Sequence, residues 1–208
     1  TTFGFPDFRG VQHDVVDRVL AGQRTLAVMP TGAGKSLTYQ LPAVMLEGTC
    51  LVVSPLIALM HDQLRAAEAV GIRAATLTSA DDNRDETIAR FRAGELDLLY
   101  VAPERVATQG FRNMVEGLDI ALFAIDEAHC VSQWGHDFRP EYLELGKVRA
   151  DLGRVQTIAL TATADVPTRP DIGDKLFDSP PRTFIRSFDR PNLRLCMRAK
   201  NKASKQIQ

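Results

Sequence analysis

Met29-Pro-Thr-Gly-Ala-Gly-Lys-Ser36 packs two glycines, a lysine and a hydroxyl into one short turn. An apolar β-branched run precedes it and a helix-period stretch follows. Glycine at 32 and 34 lets the backbone curl until the N–H groups of Thr31, Gly32, Ala33 and Gly34 point inward, a cradle suited to phosphate. A helix starting near Lys35 adds positive potential from its N-terminus. Lys35 is then placed to reach the β- and γ-phosphates of a nucleotide, and Ser36 to bind Mg²⁺. The strict motif has a glycine where Met29 stands; Pro30 and Gly32 tighten the turn instead.

Three further groups carry chemistry. Asp126-Glu127-Ala128-His129 follows an apolar run, and an acidic pair at the end of a buried strand is costly unless it meets a cation or a substrate. Asp126 suits Mg²⁺, and Glu127 suits orienting and deprotonating an attacking water. The other reading is a charge cluster at a helix N-terminus. Near the start of the chain, Phe5 and Arg9 are an aromatic and a cation four residues apart that could sandwich a flat base. Gln12 offers the amide donor and carbonyl acceptor that pair with adenine. A hydrophobic clamp packing the amino terminus explains the same residues. Finally, Ser132-Gln-Trp-Gly-His-Asp-Phe-Arg-Pro140 gathers Trp134, His136, Phe138 and Arg139. Aromatics beside cations suit stacking on bases and holding the phosphates of a single strand. A core aromatic loop is the alternative.

These groups need a frame, and the chain supplies one. Seven short apolar runs, at 25–29, 49–53, 73–77, 97–101, 120–125, 156–160 and 182–185, read as strands. Helical stretches lie at 10–21, 35–46, 56–69, 82–93, 103–108, 140–152 and 168–176. Strands separated by helices read as βαβ units and a parallel sheet. Ligands of such sheets bind outside the carboxyl ends of the strands, where all the groups above except the amino-terminal one fall. Pro42 should kink or end its helix.

With 208 residues and 45% apolar content, one domain with a sizeable core is expected. A net charge of -1 excludes a globally basic nucleic-acid coat and leaves only local patches. The dispersed Cys50, Cys130 and Cys196 argue against a disulfide framework or a zinc site, and fit an intracellular compartment. No apolar run approaches the ~18 residues of a membrane span, and no signal peptide is visible. The start at Thr1 and the polar end suggest a piece of a longer protein.

Taken together, the chain resembles the first motor lobe of a RecQ-type superfamily 2 DNA helicase, from Phe3 to about Asn192. The run from Asp126 through Cys130, Ser132, Gln133, Trp134 and Gly135 to Pro140 carries the resemblance most specifically. It implies a P-loop NTPase (RecA-like) α/β fold: a three-layer sandwich with a mostly parallel sheet, forming a single lobe over residues 1–192, with 193–208 starting a linker. It implies ATP and Mg²⁺ as cofactors. Phe5, Arg9, Gln12 and the stretch from Thr31 to Ser36 would bind ATP. Lys35, Asp126 and Glu127 would be catalytic, with Ser36 and Asp126 on the metal. Ser54, His129, Trp134, His136, Phe138, Arg139, Thr161 and Thr163 would contact DNA or couple it to the nucleotide. The stretch 187–192 resembles the lead into a second lobe. The expected partners are single-stranded or partly duplex DNA and a second motor lobe carrying an arginine finger, with no membrane. The parent would unwind DNA 3′ to 5′, and the lobe alone would be nearly inactive. Where the family's adenine motif commonly reads Phe-Arg-Pro-Gly-Gln, this chain has Phe8-Arg-Gly-Val-Gln12. Other superfamily 2 translocases and a non-catalytic nucleotide- or partner-binding module are the alternatives.

Overall fold

In a computed structural model, residues 3–79, 81–134, 137–186 and 196 are described. The stretch 187–192 and His136, both singled out above, lie outside the described residues. All seven expected strands form: β1 Thr25–Val28, β2 Thr49–Val53, β3 Ala74–Leu77, β4 Leu98–Val101, β5 Ile120–Ile125, β6 Gln156–Thr161 and β7 Arg182–Ile185. They pair in the order β3-β4-β2-β5-β6-β1-β7, and every pairing is parallel.

An all-parallel sheet must be covered on both faces, and the strand residues divide accordingly. Leu26, Val28, Leu51, Val53, Phe123 and Ile125 face one apolar core. Their neighbours Ala27, Cys50, Val52, Leu122 and Ala124 face the other. Helices α1 (Gln12–Leu20), α2 (Leu37–Met45) and α3 (Ile57–Ala69) cover the second face through Val15, Val19, Tyr39, Ala43, Met60 and Ala67. The first face is covered by α4 (Arg84–Arg92), α5 (Pro103–Val106), α6 (Gln109–Val115), α7 (Leu145–Asp151) and α8 (Thr168–Leu176). This is the expected three-layer sandwich.

Several helix limits differ from expectation. The helix after the phosphate turn starts at Leu37, because residues 31–36 form the turn itself. Pro42 does not end that helix at once; it runs on to Met45, where Leu46 N–H donates to the Pro42 carbonyl at 2.9 Å. The stretch 140–152 divides into a 3₁₀ turn, Pro140–Glu144, and α7. Pro170 sits in the first turn of α8, where its missing N–H takes nothing from the helix. Among the described residues, no helix is long and apolar enough to cross a membrane.

Candidate active site

Because the strands are parallel, the residues that follow them share one edge of the sheet. The phosphate turn leaves β1, the acidic pair leaves β5, and β6 lies between them carrying Thr161 at its end.

The turn has the conformation its glycines permit. Gly32 and Gly34 take φ of +79° and +77°, values that side chains resist. Lys35 Nζ donates to the Met29 carbonyl at 3.3 Å, so the ammonium lies against the turn it would serve. Ser36 stands before α2 with no capping bond from its side chain.

Gln12 is buried, and its amide holds the turn from below. Nε2 donates to the carbonyls of Ala33 and Gly34 at 3.0 and 3.1 Å, while Oε1 accepts from Arg9 N–H at 2.7 Å. The residue expected at an adenine edge is therefore also a tether of the phosphate turn. A side chain at Gly34 would run into this amide, a second reason for glycine there. Arg186, a residue the sequence reading passed over, donates to the same Ala33 carbonyl at 3.3 Å. Phe5 and Arg9 meet each other, with the guanidinium carbon 5.8 Å from the ring centroid, and both are exposed. That spacing is contact and not the width of an inserted base.

Asp126 is 4% exposed. Its carboxyl is pushed up to about 6, first by burial and then by the Glu127 charge; the Glu127 N–H, Lys35 and the Gln63 side chain pull the other way. Gln63 in turn accepts from Tyr39 O–H at 2.5 Å. Tyr142 O–H donates to the Asp126 carbonyl at 2.9 Å and fixes the backbone there. Glu127 is the only non-glycine residue with positive φ among those described, at +47°. Strain of this kind costs of order 1–3 kcal/mol and collects at functional turns. It bends the chain so that Glu127 follows Asp126 at the crevice and not along a continuing strand. Tyr39, Gln63, Tyr142 and Arg186 act across the sheet, and no local spacing announces them.

His129 is nearly buried, and its Nδ1 lies 2.9 Å from Thr161 Oγ1 and 3.4 Å from Glu127 Oε2. Thr161 is buried while Thr163 is exposed, and the two are joined by hydrogen bonds of 3.1 Å. The aromatic segment is not core: Trp134 is 76% exposed. Phe138 and Arg139 are half-buried, and Arg139 donates to the Pro55 carbonyl at 3.3 Å. Ser54 corrects an expectation. It is fully buried at the end of β2, and its hydroxyl has no hydrogen-bond partner among the described residues, so in this conformation it offers no surface to a nucleic acid.

A cavity of about 700 Å³ lies elsewhere, lined by residues such as Arg112, Asp119, Ile120 and Val155 at the opposite end of β5. Volume alone would have misplaced the chemistry.

Comparison with known proteins agrees with this geometry. The family model for DEAD/DEAH box helicases matches residues 9–171. The chain is 45% identical over 207 residues to the ATP-dependent DNA helicase RecQ of Pasteurella multocida, covering 99% of this chain and 33% of that protein. RecQ of Haemophilus influenzae is 44% identical over 209 residues (100% and 34%), and RecQ of Bacillus subtilis 44% over 195 (92% and 33%). The chain thus spans about a third of the length of these curated relatives. Among solved structures, the Hef helicase domain of Pyrococcus furiosus superposes with a TM-score of 0.69 at 17% identity, covering 88% of this chain and 39% of that one. A hypothetical ATP-dependent RNA helicase from Sulfolobus tokodaii gives 0.65 at 20% identity (86% and 53%). These two share the fold. With the family model spanning most of its length, the chain belongs to the DEAD/DEAH box helicase family.

Proposed function

We propose that this chain is the ATP-binding motor lobe, over residues 1–192, of a 3′-to-5′ DNA helicase of the RecQ type. One observation carries the reading. The phosphate turn and the acidic pair share an edge of the sheet; His129, just after the acids, bonds Thr161 at the end of β6, and the segment that exposes Trp134 follows His129 directly in the chain. Identity to RecQ helicases over nearly the whole chain supports it.

In this reading the N–H groups of residues 31–34 and Lys35 hold the phosphates, and Phe5, Arg9 and Gln12 hold the base. The hydroxyl of Ser36 and the buried carboxylate of Asp126 are an all-oxygen donor pair, which fits a hard cation such as Mg²⁺. Mg²⁺ bound there would neutralise phosphate charge. Glu127 orients a water and takes its proton. Trp134, Phe138, Arg139 and His136 receive single-stranded DNA, and His129, Thr161 and Thr163 relay its presence. An arginine from a second motor lobe would complete transition-state stabilisation, a contribution of roughly 10³–10⁵ in rate.

The test is steady-state ATP hydrolysis by this chain with and without single-stranded DNA, using Glu127→Gln as the blank. Turnover near the blank, restored and DNA-stimulated when the second lobe is present, is expected. Wild-type turnover by Glu127→Gln in the two-lobe protein would remove Glu127 as the base.

A further inference from the structure

Three different donor types converge at the foot of the aromatic segment. His129 Nε2 lies 3.9 Å from Cys130 Sγ, and Cys130 Sγ lies 3.7 Å from Asp137 Oδ2. The three ligand atoms all fall within 4.8 Å of one another. A tetrahedral ion with bonds of about 2.0–2.3 Å sets its donors roughly 3.3–3.6 Å apart. The His129–Cys130 and Cys130–Asp137 pairs are within a few tenths of an ångström of that spacing, and the third pair, no more than 4.8 Å apart, closes by rotation of the exposed Asp137 side chain.

The hydrogen bonds around His129 orient it for such a role. His129 Nδ1 lies 2.9 Å from Thr161 Oγ1, which is also linked to the Thr163 carbonyl and N–H at 3.1 Å. In the tautomer with its proton on Nδ1, donated to Thr161, the ring turns the lone pair of Nε2 toward Cys130, 3.9 Å away. A metal-bound histidine is typically arranged this way, with its far nitrogen donating to a hydroxyl or carboxylate. Glu127 Oε2, 3.4 Å from Nδ1, reinforces it. His129 and Cys130 form a buried floor, and Asp137 is exposed above it, which leaves a side open to solvent.

We propose that His129, Cys130 and Asp137 form a binding site for a borderline-soft divalent cation of the zinc type, and that its occupancy pins the 132–139 segment to His129. Nitrogen, sulfur and oxygen donors together select such an ion over Mg²⁺. Binding displaces the Cys130 thiol proton to solvent and forms a metal–sulfur bond, with no change of oxidation state. Asp137, whose other oxygen lies 3.8 Å from Arg139 Nε, exchanges that loose pairing for the ion. The consequence for coupling rests on the function proposed above; the binding itself does not. A pinned segment cannot respond to a DNA strand, so occupancy suppresses DNA stimulation of hydrolysis.

The test uses the untagged 208-residue chain in metal-free reducing buffer, titrated with Co²⁺ as a spectroscopic stand-in and then with Zn²⁺ in competition. About one Co²⁺ per chain is expected, with a thiolate-to-metal charge-transfer band and the visible bands of tetrahedral coordination. Cys130→Ser should abolish the charge-transfer band. Asp137→Asn, an exposed change that leaves the fold intact, should weaken binding at least tenfold. Cys196→Ser, at a cysteine elsewhere, should alter neither. A band that survives Cys130→Ser, or affinity unchanged in Asp137→Asn, would overturn the site. Stoichiometric binding without loss of DNA-stimulated hydrolysis in the two-lobe protein would overturn the regulatory consequence alone.

Discussion

Between residues 30 and 36 the chain is tied down from both ends of the sequence, whereas between 132 and 139 its described ties lie mostly at the two feet. Gln12 and Arg186 converge on the Ala33 carbonyl. The aromatic segment is closed at its base by Arg139 N–H donating to the Cys130 carbonyl at 2.9 Å, and braced by Arg139 on Pro55. Its described tip, Trp134, stands in solvent. A phosphate cradle must be preorganised, since donors that must first reorient give up much of their electrostatic benefit. A strand sensor must instead present its rings and let the strand choose. Under the proposed function the two loops divide those tasks, with the nearly buried His129 between them.

The largest effect separates the loops by ligand. Lys35→Ala should lower ATP affinity at least 100-fold in a direct titration while leaving the fold intact; undiminished affinity would detach the turn from nucleotide. Next comes the acid pair. Burial raises the Asp126 carboxyl to about 6 in the folded chain from 3.8, so the folded state binds this proton more tightly than the unfolded one. Its contribution to stability therefore improves as pH falls from 7 through 6. In metal-free buffer Asp126→Asn should be more stable than wild type above pH 6, by about 2 kcal/mol, with the difference closing toward pH 4. A pH-independent difference would mean that Asp126 is not the group being titrated.

Tyr142→Phe sharpens the comparison from the anchored side. It leaves the buried Asp126 carbonyl without its donor and should cost about 1–3 kcal/mol in urea unfolding. No loss would show that the hydroxyl is not what holds that backbone. The smallest effect concerns the presented side. Trp134→Ala should leave the melting temperature unchanged and weaken single-stranded DNA binding by the two-lobe protein roughly tenfold, about one stacked base. A marked loss of stability would return this tryptophan to the core.

What could be read from the sequence was local. β2, β3 and β5 are short apolar runs that end where a hydroxyl or an acid begins, at Ser54, Thr78 and Asp126, and the strand limits moved by about a residue. The phosphate turn and the acid pair were legible for the same reason, since glycine spacing and adjacent carboxylates declare themselves within one turn. α6 was not, because Gly110 and polar neighbours break its apolar period. Gln12 was read only as a contact for adenine, and its bonds to Ala33 and Gly34 were missed because they cross from α1 to the loop after β1. Tyr142 beneath Asp126 and Arg186 above Ala33 are long-range partners of the same kind. Ser54 was misjudged because a hydroxyl at a strand end reads the same whether it faces the crevice or the core.

The strand order also dictates when this molecule can become competent during synthesis. β2, β3, β4 and β5 are neighbours in space and successive in the chain, so they can assemble as soon as Ile125 has emerged. β1 cannot join them then. Its two partners are β6 and β7, and Thr25 waits for Ile158 and Arg182. Pairings this distant in sequence form late and slowly. The first strand made is thus among the last to dock, and it carries the phosphate turn. A nascent chain halted before β6 would display its acidic pair with no ordered cradle opposite, unable to hold a nucleotide until β6 and β7 have been made.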